Sequence, residues 1–129
     1  RASVPTERVL MLIVTGRLET DPALVHELLA DLRAGIERSL AEDGCRFYSF
    51  GLEDAARGWI LTLQIWHDER ALALHLATGE IGALVDKWTG RYTVHTKLYD
   101  AERERPVGHW QDPDLERAIR HGRARAKQR

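Results

Sequence analysis

An α+β fold is predicted for this 129-residue chain by three observations. Strand-like and helix-like periodicities follow one another in the order β, α, β, β, α, β; the two middle strands lie at hairpin distance; and each helical segment opens on residues that cap helices. Two β-α-β halves joined by a hairpin make a ferredoxin-like four-stranded antiparallel sheet with helices on one face. The composition suits this: 43% hydrophobic and 30% charged residues describe a chain able to bury one core, and 129 residues fit one domain of ordinary size.

The first strand is read over Arg8 to Leu18, where both alternating faces are apolar: Val9, Met11 and Ile13 on one, Leu10, Leu12 and Val14 on the other. Such a strand is covered on both sides. Thr20-Asp21-Pro22 then places a capping residue before a proline, whose missing N–H costs nothing in the first turn of a helix. Val25, Leu28, Leu29, Leu32, Ile36 and Leu40 keep the spacing of one buried helical stripe, which leaves Asp31, Arg33, Glu37 and Arg38 to solvent. Gly44 stops the helix. Cys45 to Leu52 alternates as a second strand, Glu53 to Gly58 turns, and Trp59 to Trp66 is the third strand. In that third strand Trp59, Leu61, Leu63 and Ile65 form an apolar face, and Ile60, Thr62, Gln64 and Trp66 a mixed one. Asp68 caps a short helix, Thr78 caps another carrying Ile81, Leu84, Val85 and Trp88, and a last strand runs from about Arg91 to Tyr99.

One face of this sheet has no helix left to cover it, so a twofold homodimer is expected to bury it. Beyond residue 99 the composition changes: Asp100 to Arg129 is basic at its end and poor in large apolar side chains. Asp112-Pro113 starts a helix there with a stripe of only Leu115, Ala118 and Ile119, while Val107 and Trp110 suggest that the connecting segment docks, with the partner subunit as a candidate surface. The division expected is a domain at 8–99 and a partly helical extension at 100–129.

Several functions find no support. The net charge of −1 gives no overall attraction to nucleic acid or membrane. The basic tail carries Asp112, Asp114 and Glu116 and reads as a solvated or partner-docking helix. No Gly-rich phosphate loop, GxSxG, CxxC or HExxH occurs, and His67 and His75 are not on one helical face, so no metal site is expected. A single cysteine forms no intramolecular disulfide, no apolar run is long enough for a bilayer, and Arg1–Pro5 shows no signal-peptide pattern. A cytoplasmic location is expected. Cys45, at a helix stop and strand start, reads as a buried and inert thiol.

The segments TGRLETDPALVHELLADLR, EDGCRFYSF and WILTLQIWHDERALALHLAT, in this order and spacing, resemble the antibiotic biosynthesis monooxygenase (ABM) family. The resemblance covers roughly residues 8 to 99. It implies a dimeric α+β barrel, in which paired sheets enclose a barrel-like core, and a pocket between sheet and helices. It also implies an oxidoreductase: a cofactor-independent monooxygenase that turns a hydrophobic phenol, quinol or anthrone into a quinone with O2, no metal or flavin being needed because the substrate supplies the electrons. Heme-degrading members ligate iron through a histidine on the second half of the broken helix; here that stretch reads IGALVDKW, and the chain contains no asparagine, so heme ligation of that kind is not expected.

Onto the family pattern fall Tyr48, Trp66 and His75. A phenol must lose its proton before its anion can pass an electron to oxygen, so His75 is the candidate base. Trp66 offers a flat face for stacking, and Tyr48, Gln64 and Tyr92 are candidate substrate-binding residues. Each has a structural alternative: His75 as a satisfied helix histidine beside Leu72, Leu74 and Leu76, Trp66 as core, Tyr48 and Tyr92 as core or interface aromatics. The alternative function is a non-catalytic ligand-binding or sensing dimer of the same fold.

Overall fold

The computed structural model describes residues 10–107 and 113–128. Four strands, β1 (Met11–Thr20), β2 (Cys45–Asp54), β3 (Trp59–Trp66) and β4 (Tyr92–Ala101), form one antiparallel sheet in the order β2-β3-β1-β4. Helices α1 (Val25–Ala34), α2 (Ile36–Leu40), α3 (Glu69–Leu76) and α4 (Gly79–Trp88) lie between the strands in sequence, and α5 (Pro113–Lys127) follows β4. This is the ferredoxin-like α+β fold that the sequence predicts, with the C-terminal helix.

Local chemistry accounts for the elements. Asp21 accepts a hydrogen bond from the Ala23 N–H and starts the 3-10 turn Pro22–Leu24 that leads into α1. Asp68 accepts from the Ala71 N–H at the start of α3, and the Thr78 hydroxyl from the Ile81 N–H at the start of α4. Gly44 has φ +83°, the left-handed conformation expected where the helical segment stops.

Several boundaries differ from the sequence reading. Residues 8 and 9 of the expected first strand lie outside the described residues, and β1 continues to Thr20 because Glu19 and Thr20 still pair with Thr93 and Tyr92. β2 and β4 likewise extend to Asp54 and Ala101. The expected single helix is two, because Gly35 (φ −94°, ψ 0°) leaves the helical ladder between α1 and α2. In α2 Ser39 faces inward, at 1% exposure, and Leu40 faces out at 46%.

The core fills the space between one sheet face and the helices. Leu12, Leu18, Tyr48, Phe50, Ile60 and Trp66 come from the sheet, Val25, Leu28, Leu29 and Leu32 from α1, Ala71 and Leu72 from α3, and Trp88 from α4. On the opposite sheet face Phe47, Leu61, Leu63 and Tyr99 stay exposed. One end of that face is charged: Arg17 donates to both carboxylate oxygens of Glu53 at 2.7 and 2.5 Å and stacks over Trp59 at 3.6 Å. After β4 the chain turns toward the other edge of the sheet, where Glu104 pairs with Arg46 of β2 at 3.2 Å. α5 has no buried residue, and Trp110 and Asp112 lie outside the described residues. Among the described residues no helix is long and apolar enough to cross a membrane.

Candidate functional site

A cavity of about 360 Å³ lies between the helix-facing side of the sheet and α3–α4, within the range typical of small-molecule pockets. Its floor is the mixed face of β3, where Thr62 and Gln64 project beside Val14, Leu18, Thr96 and Leu98 of the neighbouring strands. Its roof is α4, through Ile81, Leu84 and Val85. The walls are largely apolar, and the polar groups gather at particular points.

Room for the floor depends on Gly16. This residue pairs with both Thr62 and Thr96, has φ +149°, and a Cβ there would stand 2.2 Å from the His95 carbonyl oxygen. Only glycine fits.

At one end His75 lines the cavity while remaining 2% exposed. Its Nδ1 lies 2.8 Å from Glu42 Oε2, and its ring packs 4.6 Å from that of Trp66 and 5.1 Å from that of Tyr48. Tyr48 is itself edge-on to Phe50 and Trp66. Burial pushes the Tyr48 hydroxyl above its usual pKa, and a hydrogen bond with Ser39 acts in the opposite direction, so the phenol stays protonated near neutral pH and can donate.

Trp66 is wholly buried and is not among the residues that line the cavity. Its indole Nε1–H donates to Gln64 Oε1 at 3.1 Å; Gln64 Nε2 in turn donates to Thr62 Oγ1 at 3.4 Å, and Thr62 Oγ1 donates to the Ser49 carbonyl at 3.1 Å. Trp66 therefore touches the cavity's polar groups from behind, through Gln64 and His75. Tyr92 lines the cavity beside Trp88, away from His75. Thus His75, Tyr48 and Gln64 come together, Trp66 backs them, and Tyr92 belongs to the opposite end.

The roof is clipped to α1 at one end. Asp31 Oδ2 accepts from Trp88 Nε1 at 2.8 Å and pairs with Lys87 at 2.8 Å, while the Arg91 guanidinium covers the Trp88 ring. The Lys87 and Trp88 hydrogen bonds hold the Asp31 carboxyl below its ordinary pKa. Near the mouth Leu76, Val85, Val94 and Leu98 are exposed around the opening.

Cys45 is half-buried and does not line this cavity. Burial, and then the Glu42 carboxylate, push its thiol above its ordinary pKa, which disfavours the reactive thiolate. Among the described residues no group of three His, Cys, Asp or Glu side chains is arranged to hold a metal ion.

Glu42, Ser39 and Asp31 are the site residues that sequence reasoning missed. Glu42 and His75 stand 33 positions apart, and no periodicity links a turn residue to a helix residue at that separation. Ser39 is a small polar residue that an apolar stripe does not count, and Asp31 read as a solvent-facing position.

Residues 11–87 match the model of the family described as antibiotic biosynthesis monooxygenase. An uncharacterised protein of Synechocystis sp., sll1783, is 29% identical over 76 residues, which are 59% of this chain and 52% of that protein. The matched stretch is thus about half the length of that relative. Among solved structures, a Deinococcus radiodurans protein ascribed to the antibiotic biosynthesis monooxygenases superposes with a TM-score of 0.66 at 21% identity, over 74% of this chain and 97% of the other. PA3566 from Pseudomonas aeruginosa gives 0.61 at 20% identity, over 75% and 96%. A Methanosarcina mazei protein gives 0.61 at 21%, over 75% and 96%. These likenesses carry the fold.

Proposed function

The chain belongs to the antibiotic biosynthesis monooxygenase family, and from that premise we propose that its cavity oxidises a hydrophobic phenol, quinol or anthrone to a quinone with O2. The observation that carries the reading is a mostly apolar cavity with a buried imidazole on its wall, backed by a carboxylate. A planar aromatic substrate fits between the β3 floor and the α4 roof. His75 takes the proton of the substrate hydroxyl, and the electron-rich anion passes an electron to O2. One ring C–H is then replaced by C=O and the second oxygen atom leaves as water, so the substrate loses two hydrogens, gains one oxygen and supplies the electrons itself.

In this reading Tyr48 and Gln64 hold the substrate oxygens, Tyr92 bounds the far end, and Trp66 keeps Gln64 and His75 in place. Residues 8–99 are the functional unit and 100–129 an appendage. A second copy covers the exposed sheet face to make a homodimer, and the cytoplasm is the compartment.

Oxygen consumption with hydroquinones and anthrones, followed together with quinone absorbance, tests the reading. Enzyme-dependent uptake with matching quinone is expected, and His75→Ala should lower turnover by roughly 100-fold while leaving the assembly intact. Uptake unchanged by both His75→Ala and Trp66→Phe would remove the site assignment. The full burial of Trp66, which takes the stacking surface off the cavity wall, favours a second reading as a ligand-binding dimer. Saturable aromatic binding with no oxygen uptake would select it.

A further inference from the structure

Among the described residues, His75 has one polar side-chain contact, the Glu42 carboxylate 2.8 Å from Nδ1. We infer that Glu42 is a positioning residue that keeps the neutral His75 in its Nδ1–H tautomer and so presents the Nε2 lone pair to the cavity as the proton acceptor; this rests on the oxygenase reading above. An ionised carboxylate only accepts hydrogen bonds, so the nitrogen facing it must carry the hydrogen. Nε2 bonds to no described residue. Since the described chain leaves no buried side-chain nitrogen or oxygen unpartnered, Nε2 is not sealed within the protein, and the cavity that His75 lines is the space assigned to it.

Both partners are held. The imidazole is wedged against Trp66 at 4.6 Å and Tyr48 at 5.1 Å, and the His75 carbonyl accepts from the Thr78 hydroxyl at 2.8 Å. Glu42 sits in the turn between α2 and β2, its N–H donating to the Ser39 carbonyl at 3.1 Å and its own carbonyl accepting from the Cys45 N–H at 3.2 Å. A ring so confined cannot turn over to exchange its nitrogens without displacing two aromatic neighbours. The proton step then balances. The substrate O–H breaks, its proton joins Nε2, and the imidazolium charge lies against the Glu42 carboxylate. The same proton leaves Nε2 for the oxygen atom that departs as water, which restores the starting tautomer.

The tautomer can be read without turnover. In the full chain labelled with [15N]histidine at pH 8.5, long-range proton–nitrogen correlation should give His75 a pyrrole-type Nδ1 and a pyridine-type Nε2, its signals being identified by their loss in His75→Gln. Glu42→Leu should move the ring toward the Nε2–H form and lower kcat by about 100-fold with little change in KM. Glu42→Gln keeps an acceptor oxygen and should restore the tautomer and part of the rate. An Nε2–H ring in the wild-type protein, or a tautomer indifferent to Glu42→Leu, would overturn the assignment; if Glu42→Leu fails to fold, the wild-type spectrum alone decides. The expected tautomer in a protein that oxidises none of the substrates would uphold the role of Glu42 and discard the oxygenase reading. Quinone formation by an Nε2–H ring would do the reverse.

Discussion

One methyl group separates Gly16 from alanine, and the sheet has no place for it. The added carbon would stand 2.2 Å from the His95 carbonyl and 2.7 Å from Thr96 Cα, both backbone atoms of a paired strand, at a φ that L residues seldom adopt. Gly16→Ala should cost about 2 kcal/mol or more of stability, read as a lowered urea midpoint; an unchanged midpoint would mean that β1 and β4 separate here at little cost. The sequence shows a glycine in an apolar strand but not what approaches it. The same limit hid Glu42. His75, Tyr48 and Gln64 could be named because each lies in a periodic element whose faces can be counted, and because the family pattern singles out two of them. A residue that matters through a contact made across the fold leaves no such trace. Cys45 could be placed from its position at a strand start, and its raised thiol pKa gives that placement a chemical consequence: slow alkylation at neutral pH, with Cys45→Ser leaving the cavity intact.

The elements were most legible where capping chemistry and periodicity agree. Trp59–Trp66 coincides with the expected strand, and Asp68 and Thr78 cap the helices they were expected to cap. The break at Gly35 was not legible because the apolar stripe runs past it without interruption. α4 shows what such an element needs in order to stand over a cavity. Only Trp88 of its ten residues is buried, so the clip at Asp31 holds its last turn. The depressed Asp31 pKa fixes the sign of the pH effect. Its stabilisation is present in full above the unfolded value near 3.8 and is lost as the pH falls through the lower folded value. Asp31→Asn should therefore lower stability by about 1 kcal/mol at pH 7, with the gap closing below about pH 4. A gap that persists at pH 2 would show that the loss comes from geometry and not from charge.

At the scale of the molecule, the exposed apolar face was foreseen by counting helices against sheet faces, whereas the course of the chain beyond β4 was not, since nothing local marks Arg46 as the residue that Glu104 reaches. If a second copy covers that face, Leu63→Arg should give a folded monomer in sedimentation, because a charge would be buried at the centre of the contact; an unchanged sedimentation coefficient would place the contact elsewhere. The sheet order has a further consequence, in time. The first strand made is central, and one of its two neighbours is the last strand made: Met11 pairs with Ala101 and Thr20 with Tyr92. During synthesis the earlier elements can collapse on one another, but one edge of β1 stays bare and the cavity floor lacks Thr96 and Leu98 until β4 has emerged. A chain halted before β4 would thus expose a sticky central strand to the translating cell, and a capacity to bind aromatic ligands would arise late and all at once with the final strand.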